Sequence, residues 1–478
     1  MKTFYITTTL PYVNAEPHIG FAMELVRADA IARSKKLQGF QVFFNTGTDE
    51  HGQKLFTGAK EVGKNVKEYV DEYARKFREL PVTLGILDEV HFMRTTDPYH
   101  EESAKEFWKR CLQNGFIYKK NYKIKYCVGC ELEKTDSELE DGKCLLHPNR
   151  EIELIEEENY FFKFSAFQEK LLKYYKENPG FVVPDFRFNE IKTFVKSGLE
   201  DFSISRLKEK MSWGISVPDD NSQVMYVWFD ALVNYISTLG WPKDESNFSK
   251  FWREGETVQY CGKDNLRQQS AMWQAMLMAV DLPNTKHIII NGFVTGEGGI
   301  KMSKSLGNTV NPVDLISEYG PDAVRYFLLA ELSNFEDSPF TIERFKDAYN
   351  AKLANGLGNL VSRIMKMASD NLDKPAVIPE FENMEEYFGF LNNFEINKAT
   401  DYVWKKIGEM DFFIQENQPF KVVKLEKEKG QKMISEMVIK LYSVARMLNP
   451  ILPETSQKIK ELIKSNKVPE KPLFLRKD

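Results

Sequence analysis

A strand–turn–helix–strand pattern fills the first fifty residues and restricts the possible folds more than any other feature of the chain. Residues 3–10 are rich in β-forming side chains and stop at Pro11. A helical stretch follows over residues 19–37, and Gly39 stands where a glycine commonly ends a helix. A second β-rich run, residues 41–45, then leads into polar residues. This order is typical of an open α/β sheet, in which ligands bind at the carboxyl ends of the strands.

The same pattern returns late in the chain. Residues 257–261 predict a strand, a helix containing Met272 and Met276 follows, and residues 286–290 predict another strand. Residues 115–222 between the two halves lack a clear strand–helix alternation and hold three cysteines, which indicates an inserted domain. After residue 343 the strands disappear, and apolar residues recur at the three- and four-residue spacing of an antiparallel helical bundle.

We therefore predict an α/β protein whose Rossmann-like parallel sheet is split by an inserted domain and followed by an all-α bundle. The predicted boundaries are 1–114 and 223–290 for the two halves of the sheet domain, 115–222 for the insertion, 291–343 for a connecting loop region and 344–478 for the bundle. The 478 residues are 42% hydrophobic, which is enough for several substantial cores, and the net charge of -5 does not by itself indicate a nucleic-acid partner. No secretory signal or membrane span is predicted because the apolar runs are short, so we expect a cytoplasmic protein.

Two short motifs stand where such a sheet would bind a phosphate. His18 and Gly20 fall at the start of the first predicted helix, where backbone N–H groups and the helix dipole attract anions. Lys301, Ser303 and Lys304 lie in a loop after several glycines, and two ammonium groups there could close over a pyrophosphate. Alone, each has a plainer explanation: a histidine that caps a helix, and an ordinary basic surface loop. Their order, each beside a predicted strand end, favours a phosphate site.

The cysteine cluster has the spacing of a metal site. Cys127 and Cys130 are followed, after thirteen residues, by Cys144 and His147. Three thiolates and one imidazole complete a tetrahedral zinc shell without an open position, which predicts one structural Zn²⁺. The alternative is a thiol redox pair, although the βαβ setting that such pairs favour is missing. We expect the other two cysteines, Cys111 and Cys261, to be packed in the core.

Five segments carry a resemblance to a known family: TTLPYVNAEPHIG (8–20), TGTDEHG (46–52), YVWFDAL (226–232), GKD (262–264) and KMSKSLGN (301–308). In these segments the chain resembles the methionyl-tRNA synthetases, which are class I aminoacyl-tRNA synthetases. The resemblance implies that ATP, with Mg²⁺, activates L-methionine to methionyl-adenylate and pyrophosphate. The methionine then passes to the 3′ end of tRNA(Met), including the initiator tRNA, for translation initiation and elongation. It also implies that His18, Lys301 and Lys304 stabilise the phosphates, that Ser303 contributes to the ATP site and that Gly20 lies under the adenine.

The methionine pocket of the family corresponds to a set of residues from both halves of the sheet domain: Leu10, Tyr12, Asp49, Trp228, Ala231, Tyr235 and Gln269. Aromatic walls suit a polarizable thioether, and the Asp49 carboxylate suits the substrate ammonium. The plainer explanation is that the aromatic members are ordinary core residues. Two positions depart from the family, since Phe21 and Gln269 replace its usual histidines. Phe21 cannot donate a hydrogen bond to a phosphate.

The resemblance extends into the helical tail. There the family reads the CAU anticodon, and the corresponding residues are Asn359, Arg363 and Phe420, the last in place of a tryptophan. Asn359 and Arg363 are four residues apart and share one helix face, and Phe420 could stack on a base. We also expect a monomer, because residues for the dimerising tRNA-binding module of some relatives are missing.

Two rival interpretations stay open on the sequence. Class I synthetases for leucine, isoleucine, valine or cysteine share the first and last motifs, although those for branched amino acids usually carry a larger insertion. The second rival interpretation is a zinc-containing RNA-binding protein that has lost catalysis, and Phe21 and Gln269 lend it some support. Amino-acid-dependent exchange of pyrophosphate into ATP separates all of these.

Overall fold

The computed structural model describes residues 2–130, 132–134, 138–300, 302, 309–380 and 383–477. The strands span Thr3–Thr7, Gln41–Thr48, His91–Arg94, Ile117–Cys127, Leu132–Lys134, Leu139–Glu140, Lys143–Cys144, Glu153–Phe162, Val182–Val183, Phe202–Ser203, Ser205–Leu207, Ser216–Val217, Asp220–Met225, Glu256–Gly262, His287–Asn291, Val294–Thr295 and Ser338–Pro339.

The α-helices span Ile19–Leu37, Gln53–Glu61, Val66–Thr83, Pro98–Gln113, Gln168–Glu177, Asp185–Lys196, Val227–Ala231, Asn234–Ser237, Glu245–Asn247, Trp273–Ala279, Pro312–Tyr319, Pro321–Tyr326, Ile342–Ala348, Asn359–Asn371, Glu385–Asn392, Ile396–Asn417, Pro419–Leu425, Lys427–Leu448 and Pro453–Ser465. Short 3₁₀ turns occupy Phe164–Phe167, Lys263–Asn265 and Glu297–Gly299, and π-helical turns occupy Phe248–Arg253, Gln268–Met272, Phe327–Glu331 and Tyr349–Gly358. None of the helices in the described part of the chain combines the length and the apolar character that crossing a membrane requires.

The chain divides into two compact units. The first comprises Met1–Pro17, Phe40–Glu79 and Glu89–Ile290, and the second comprises His18–Gly39, Leu80–Asp88 and Asn291–Asp478. Each unit is discontinuous in sequence, because segments of the other unit interrupt it. The five-part division predicted from the sequence is a finer one and stays a prediction.

The first unit is built on the predicted split sheet. Its six strands lie in the order His91–Arg94, Gln41–Thr48, Thr3–Thr7, Glu256–Gly262, His287–Asn291 and Val182–Val183. Thr3–Thr7 pairs in parallel with Gln41–Thr48 on one side and with Glu256–Gly262 on the other, so that Phe4 faces Glu256 across more than two hundred residues of chain. This pairing confirms the α/β class and the insertion predicted from the sequence.

The inserted region contains both strands and helices. The long strand Ile117–Cys127 pairs antiparallel with Glu153–Phe162 over ten positions. The helices Gln168–Glu177 and Asp185–Lys196 follow, and their buried apolar residues, among them Leu171 and Ile191, join the core of the unit. The prediction of a region without strand–helix order therefore missed two helices. Their many lysines and glutamates cover the solvent face and obscure the apolar spacing.

An aromatic cluster forms the centre of the first unit's core. Phe107 and Trp108 of the helix Pro98–Gln113 make ring contacts with Phe229 at centroid distances of 6.0 and 5.3 Å. Phe107 also lies 5.8 Å from both Trp241 and Trp273. Such rings bury a large apolar area and pack edge-on or tilted, as here. This cluster supports the short helix Val227–Ala231, which contains Trp228 and Ala231 of the predicted methionine pocket.

The second unit contains the helical tail that was predicted from the sequence. A buried ion pair joins its segments: Arg325 Nη2 lies 2.7 Å from Asp29 Oδ2, and both side chains are fully buried. The Arg325 guanidinium also donates to the carbonyl oxygens of Pro450 and Ile451 at 2.9 and 3.0 Å. These bonds satisfy backbone carbonyl groups at the break between the helices Lys427–Leu448 and Pro453–Ser465.

Candidate active site and metal centre

Asp49 lies just past the carboxyl end of the strand Gln41–Thr48 and is nearly fully buried. Its backbone N–H donates to the carbonyl oxygen of Pro11 at 3.0 Å, and Asp49 and Tyr12 form a parallel bridge. The two first-half segments of the predicted methionine pocket are therefore side by side at the strand ends, where an open α/β sheet binds its ligand.

Glu50 anchors this segment. Its carboxylate accepts hydrogen bonds from Arg94 Nε at 2.6 Å, Arg94 Nη2 at 2.8 Å and Thr96 Oγ1 at 2.5 Å, and its side chain is fully buried. Its backbone carbonyl accepts a further bond from Trp213 Nε1 at 2.6 Å. A bidentate arginine–carboxylate pair is strong and geometrically specific. The residue after Asp49 is thus held rigidly.

Aromatic rings from both halves of the chain meet at Tyr12. The rings of Tyr12 and Trp228 are 6.5 Å apart at an interplanar angle of 70°. Both side chains are half-buried, whereas Phe229, the next residue, is fully buried in the aromatic core. Phe229 is thus an ordinary core residue. The partial exposure of Tyr12 and Trp228 leaves apolar surface for a ligand.

The remaining pocket residues lie in or next to short helices. Gln269 Nε2 donates to Tyr235 Oη at 2.6 Å, and both residues are about 2% exposed. Ala231 is buried and its carbonyl accepts from Asn234 Nδ2 at 2.7 Å. Leu10 is half-buried in the segment after the first strand. Glutamine in place of the family histidine therefore still makes a side-chain bond, and its partner is another predicted pocket residue.

His18 caps the helix Ile19–Leu37 in the second unit. Its backbone is extended, its side chain is exposed, and its Nδ1 accepts from the Gly20 N–H at 3.1 Å. A Cβ at Gly20 would lie 3.0 Å from the His18 ring, so the imidazole itself accounts for a glycine at this position. Phe21 is buried, in agreement with its inability to bind a phosphate. His18 therefore caps the helix, as the plainer explanation predicted, and its side chain lies exposed at the helix N-terminus.

The second motif falls largely outside the described residues, and so do the predictions on Lys301, Ser303 and Lys304. The chain is described again from Thr309, and the Val310 carbonyl accepts from the Ile19 N–H at 3.1 Å. The segment that follows the second motif is therefore hydrogen-bonded to the first residue of the helix that His18 caps.

The three predicted anticodon residues lie on helices of the second unit. Asn359 and Arg363 are one turn apart on Asn359–Asn371, with Asn359 exposed and Arg363 paired with Asp411 of the helix Ile396–Asn417. Phe420 is 42% exposed near the start of the next helix, Pro419–Leu425. An exposed phenyl ring offers a flat apolar face of the kind on which an unpaired base stacks.

Four metal-ligating side chains converge in the inserted region. The donor atoms of Cys127, Cys130, Cys144 and His147 all lie within 4.8 Å of one another. Cys130 Sγ is 3.4 Å from Cys144 Sγ and 3.2 Å from His147 Nδ1. A tetrahedral zinc with Zn–S bonds of about 2.3 Å separates its sulfur ligands by about 3.7 Å, so the four donors are close enough together to share such an ion. Cys111 and Cys261 are both fully buried elsewhere.

The backbone around these ligands is built to fit them. Leu139–Glu140 and Lys143–Cys144 form a small hairpin whose turn residues, Asp141 and Gly142, both have positive φ. A Cβ at Gly129 would lie 2.5 Å from Cγ of His147. Only glycine therefore leaves room for the imidazole at this point.

One buried polar cluster next to the pocket was missed by the sequence analysis. Nδ1 of His51 donates to Asp230 Oδ2 at 3.1 Å, and Nε2 of His100 lies 3.8 Å from Asp230 Oδ1. Burial alone would lower the pKa of His51, but the charge of Asp230 and their hydrogen bond raise it. Burial would likewise raise the pKa of Asp230, and the two histidines lower it instead. The charged pair is favoured, and the only sequence signal for it was polar residues beside a predicted strand end.

Comparison with known proteins agrees with this geometry. The family model described as tRNA synthetases class I (M) matches residues 4–145 and 129–365. A methionine–tRNA ligase of Caldanaerobacter subterraneus is 40% identical over 96% of this chain and 74% of its own length. One from Rickettsia bellii is 38% identical over 96% of this chain and 92% of its own. The structure of Mycobacterium tuberculosis methionyl-tRNA synthetase in complex with methionyl-adenylate superposes with a TM-score of 0.90 at 36% identity, covering 97% of this chain and 94% of that one.

The split parallel sheet, the polar strand ends and the family match define a class I aminoacyl-tRNA synthetase, an ATP-dependent ligase. Within that class, the chain belongs to the methionine–tRNA ligase family.

Proposed function

We propose that the chain activates L-methionine with ATP and transfers the methionine to tRNA(Met), including the initiator tRNA. The observation that carries this proposal is that the buried residue Asp49 bridges to Tyr12 at the strand ends, and that the half-buried ring of Tyr12 lies 6.5 Å from that of Trp228. A carboxylate for an ammonium and aromatic surface for a thioether are the two features that methionine requires.

In this function the methionine ammonium pairs with Asp49, and its side chain packs among a set of mainly apolar residues: Leu10, Tyr12, Trp228, Ala231 and Tyr235. Gln269 acts on the pocket through its bond to Tyr235 Oη. An apolar pocket discriminates by only about 1–3 kcal/mol per methylene, so contacts to the sulfur must supply part of the selectivity.

ATP binds with its phosphates at the mouth of the helix Ile19–Leu37, where His18 and Gly20 stand. By their motif, Lys301, Ser303 and Lys304 stabilise the pyrophosphate as it leaves. The reaction needs no covalent enzyme intermediate, because the methionine carboxylate attacks the α-phosphorus directly. Catalysis then consists of positioning and of charge stabilisation in the transition state. Mg²⁺, bound with ATP, neutralises part of the phosphate charge.

The cysteine–histidine cluster holds one structural Zn²⁺ in this proposal. Cys127, Cys130, Cys144 and His147 would fill all four positions, which leaves none for a substrate. The ion ties the hairpin Leu139–Cys144 region to the end of the long strand Ile117–Cys127.

The helical tail recognises the anticodon through Asn359, Arg363 and Phe420. Stacking of a base on an aromatic ring contributes about 1–3 kcal/mol. We further propose that the chain acts as a monomer in the cytoplasm, where tRNA charging supplies translation, and that the five-part division of the sequence corresponds to these separate tasks.

Exchange of labelled pyrophosphate into ATP tests the function. We expect exchange that depends on methionine and is absent with leucine, isoleucine, valine or cysteine, followed by charging of tRNA(Met). Exchange with only another amino acid would assign a different synthetase. Binding of tRNA without exchange for any amino acid would support the RNA-binding alternative.

A further inference from the structure

We propose that His51 and Asp230 are positioning residues that set the Asp49 carboxylate in the orientation needed to receive the substrate ammonium. The inference rests on the proposed function, since it concerns the same pocket. It assigns a task to a buried ion pair that the reaction itself does not use.

The pair joins two segments that each supply pocket residues. His51 lies two residues after Asp49, whereas Asp230 lies between Trp228 and Ala231 in the helix Val227–Ala231. The His51–Asp230 bond spans 179 residues of sequence at 3.1 Å, with both side chains almost completely buried. A shift of either segment would therefore be transmitted directly to the other.

A second bond carries the constraint to Asp49. The backbone N–H of His51 donates to Asp49 Oδ1 at 3.3 Å. The position of that N–H depends on the ring, which is held by Asp230 on one edge and lies 5.8 Å from the ring of Trp213. Because Glu50 between them is fixed by Arg94, the carboxylate of Asp49 has little freedom to reorient.

Stability alone does not explain the pair. A buried ion pair contributes little net stability compared with a well-packed apolar pair of the same volume, because both charges lose their hydration. Asp230 is fully buried, and the His100 Nε2 that faces its Oδ1 is 3.8 Å away, so among the described residues this oxygen has no partner within hydrogen-bond distance. An arrangement that leaves a carboxylate oxygen unsatisfied is costly. We therefore assign the pair a geometric role, which is to hold the two pocket segments in a fixed arrangement.

Asp230→Asn and His51→Gln test the inference from the two ends of the bond. Calorimetry without ATP measures the Kd for methionine, and a competition assay measures that of desamino-methionine, which lacks the ammonium group. We expect each substitution to raise the methionine Kd about tenfold, equivalent to about 1.4 kcal/mol. The Kd values for desamino-methionine and ATP should stay unchanged, since neither ligand pairs with Asp49. The double variant should weaken methionine binding no more than the single ones do.

Asp322→Asn is the matched control, because Asp322 is another buried carboxylate, bonded to the Thr455 N–H in the second unit. It should leave methionine affinity unchanged. Equal losses for methionine and desamino-methionine, unchanged affinities, or failure of both variants to fold would each overturn the inference in favour of a purely structural role. Wild-type protein without methionine-dependent exchange would overturn the proposed function as well, whereas normal wild-type exchange with unaltered variants would overturn only the inference.

Discussion

The candidate metal site and the proposed Asp49 pocket differ in how far apart in the sequence their parts lie. The four metal ligands fall between positions 127 and 147, and short turns bring them together. The proposed pocket draws on segments near positions 12, 49, 228 and 269, and the contact between Tyr12 and Trp228 joins the two halves of the split domain. The first site depends on local chain geometry and the second on the fold of the entire unit.

The two regions are also stabilised differently. Around the metal ligands, Leu145 and Leu146 are more than half exposed, so little apolar surface is buried there. The pocket stands on the aromatic core of Phe107, Trp108 and Phe229. We infer that the proposed metal, when bound, supplies most of the local stability of the first region, while apolar burial supplies that of the second.

The largest expected effect is loss of the metal. Cys144→Ser should reduce the zinc content from one ion per chain to none and expose the region around the hairpin to proteolysis, because zinc contributes about 10–16 kcal/mol to the folding of small zinc domains. Metal analysis and limited proteolysis measure this. Cys111→Ser, at a buried cysteine outside the cluster, should retain the metal. If Cys144→Ser still bound one metal ion per chain, the inferred difference in how the two regions are stabilised would be contradicted.

The next effect concerns the pocket. Asp49→Asn should lower kcat/KM for methionine about a hundredfold or more, since breaking a buried charge pair costs about 3–5 kcal/mol. Pyrophosphate exchange measures it, and the zinc content should not change. Asp71→Asn, at the partly exposed second partner of Arg94, is the control and should have little effect. Comparable losses in both variants would mean that Asp49 acts only through the local charge network.

A smaller effect tests the fit of the metal site. Gly129→Ala should weaken zinc affinity about tenfold, because the added methyl group displaces the His147 ring. This is the low end of the loss in affinity that follows when groups supporting metal ligands are disturbed. Competition with a chelator measures the affinity. Gly180→Ala, where a methyl group would meet open space in the same inserted region, should leave it unchanged. Equal affinities for Gly129→Ala and the wild type would contradict the close packing at Gly129.

The smallest effect is a pH dependence of stability. The raised pKa of His51 means that its pairing with Asp230 stabilises the fold fully below the ordinary histidine pKa, and that this contribution is lost as pH rises through the raised value. The lowered pKa of Asp230 extends the same contribution toward acid pH. Between about pH 6 and about pH 9, the wild type should therefore lose more unfolding free energy than His51→Gln, which does not titrate. Urea denaturation measures the difference, and parallel pH profiles would argue against a charged pair.

The same contrast explains what could be predicted from the sequence. The helix Ile19–Leu37 was predicted at its observed bounds, because Gly39 and the run of helix-forming residues mark it locally. The grouping of the four candidate metal ligands was predicted from spacing alone, and their side chains do converge. The Rossmann-like pairing across the insertion followed from two separated strand–helix patterns.

The rest depended on contacts that no local pattern encodes. The residues proposed for methionine came from the family resemblance, and spacing gave no reason to join Tyr12 with Trp228. The bond from His51 to Asp230 could not be predicted from the sequence, because each residue by itself resembles an ordinary polar residue next to a strand or helix. The helices Gln168–Glu177 and Asp185–Lys196 were missed because their charged faces dominate the sequence.

A crystal structure of the protein with bound L-methionine tests the central claim most directly. We expect the methionine ammonium within hydrogen-bond distance of the Asp49 carboxylate and the thioether against the rings of Tyr12 and Trp228. Methionine bound elsewhere, or bound with its ammonium directed away from Asp49, would contradict the proposed function.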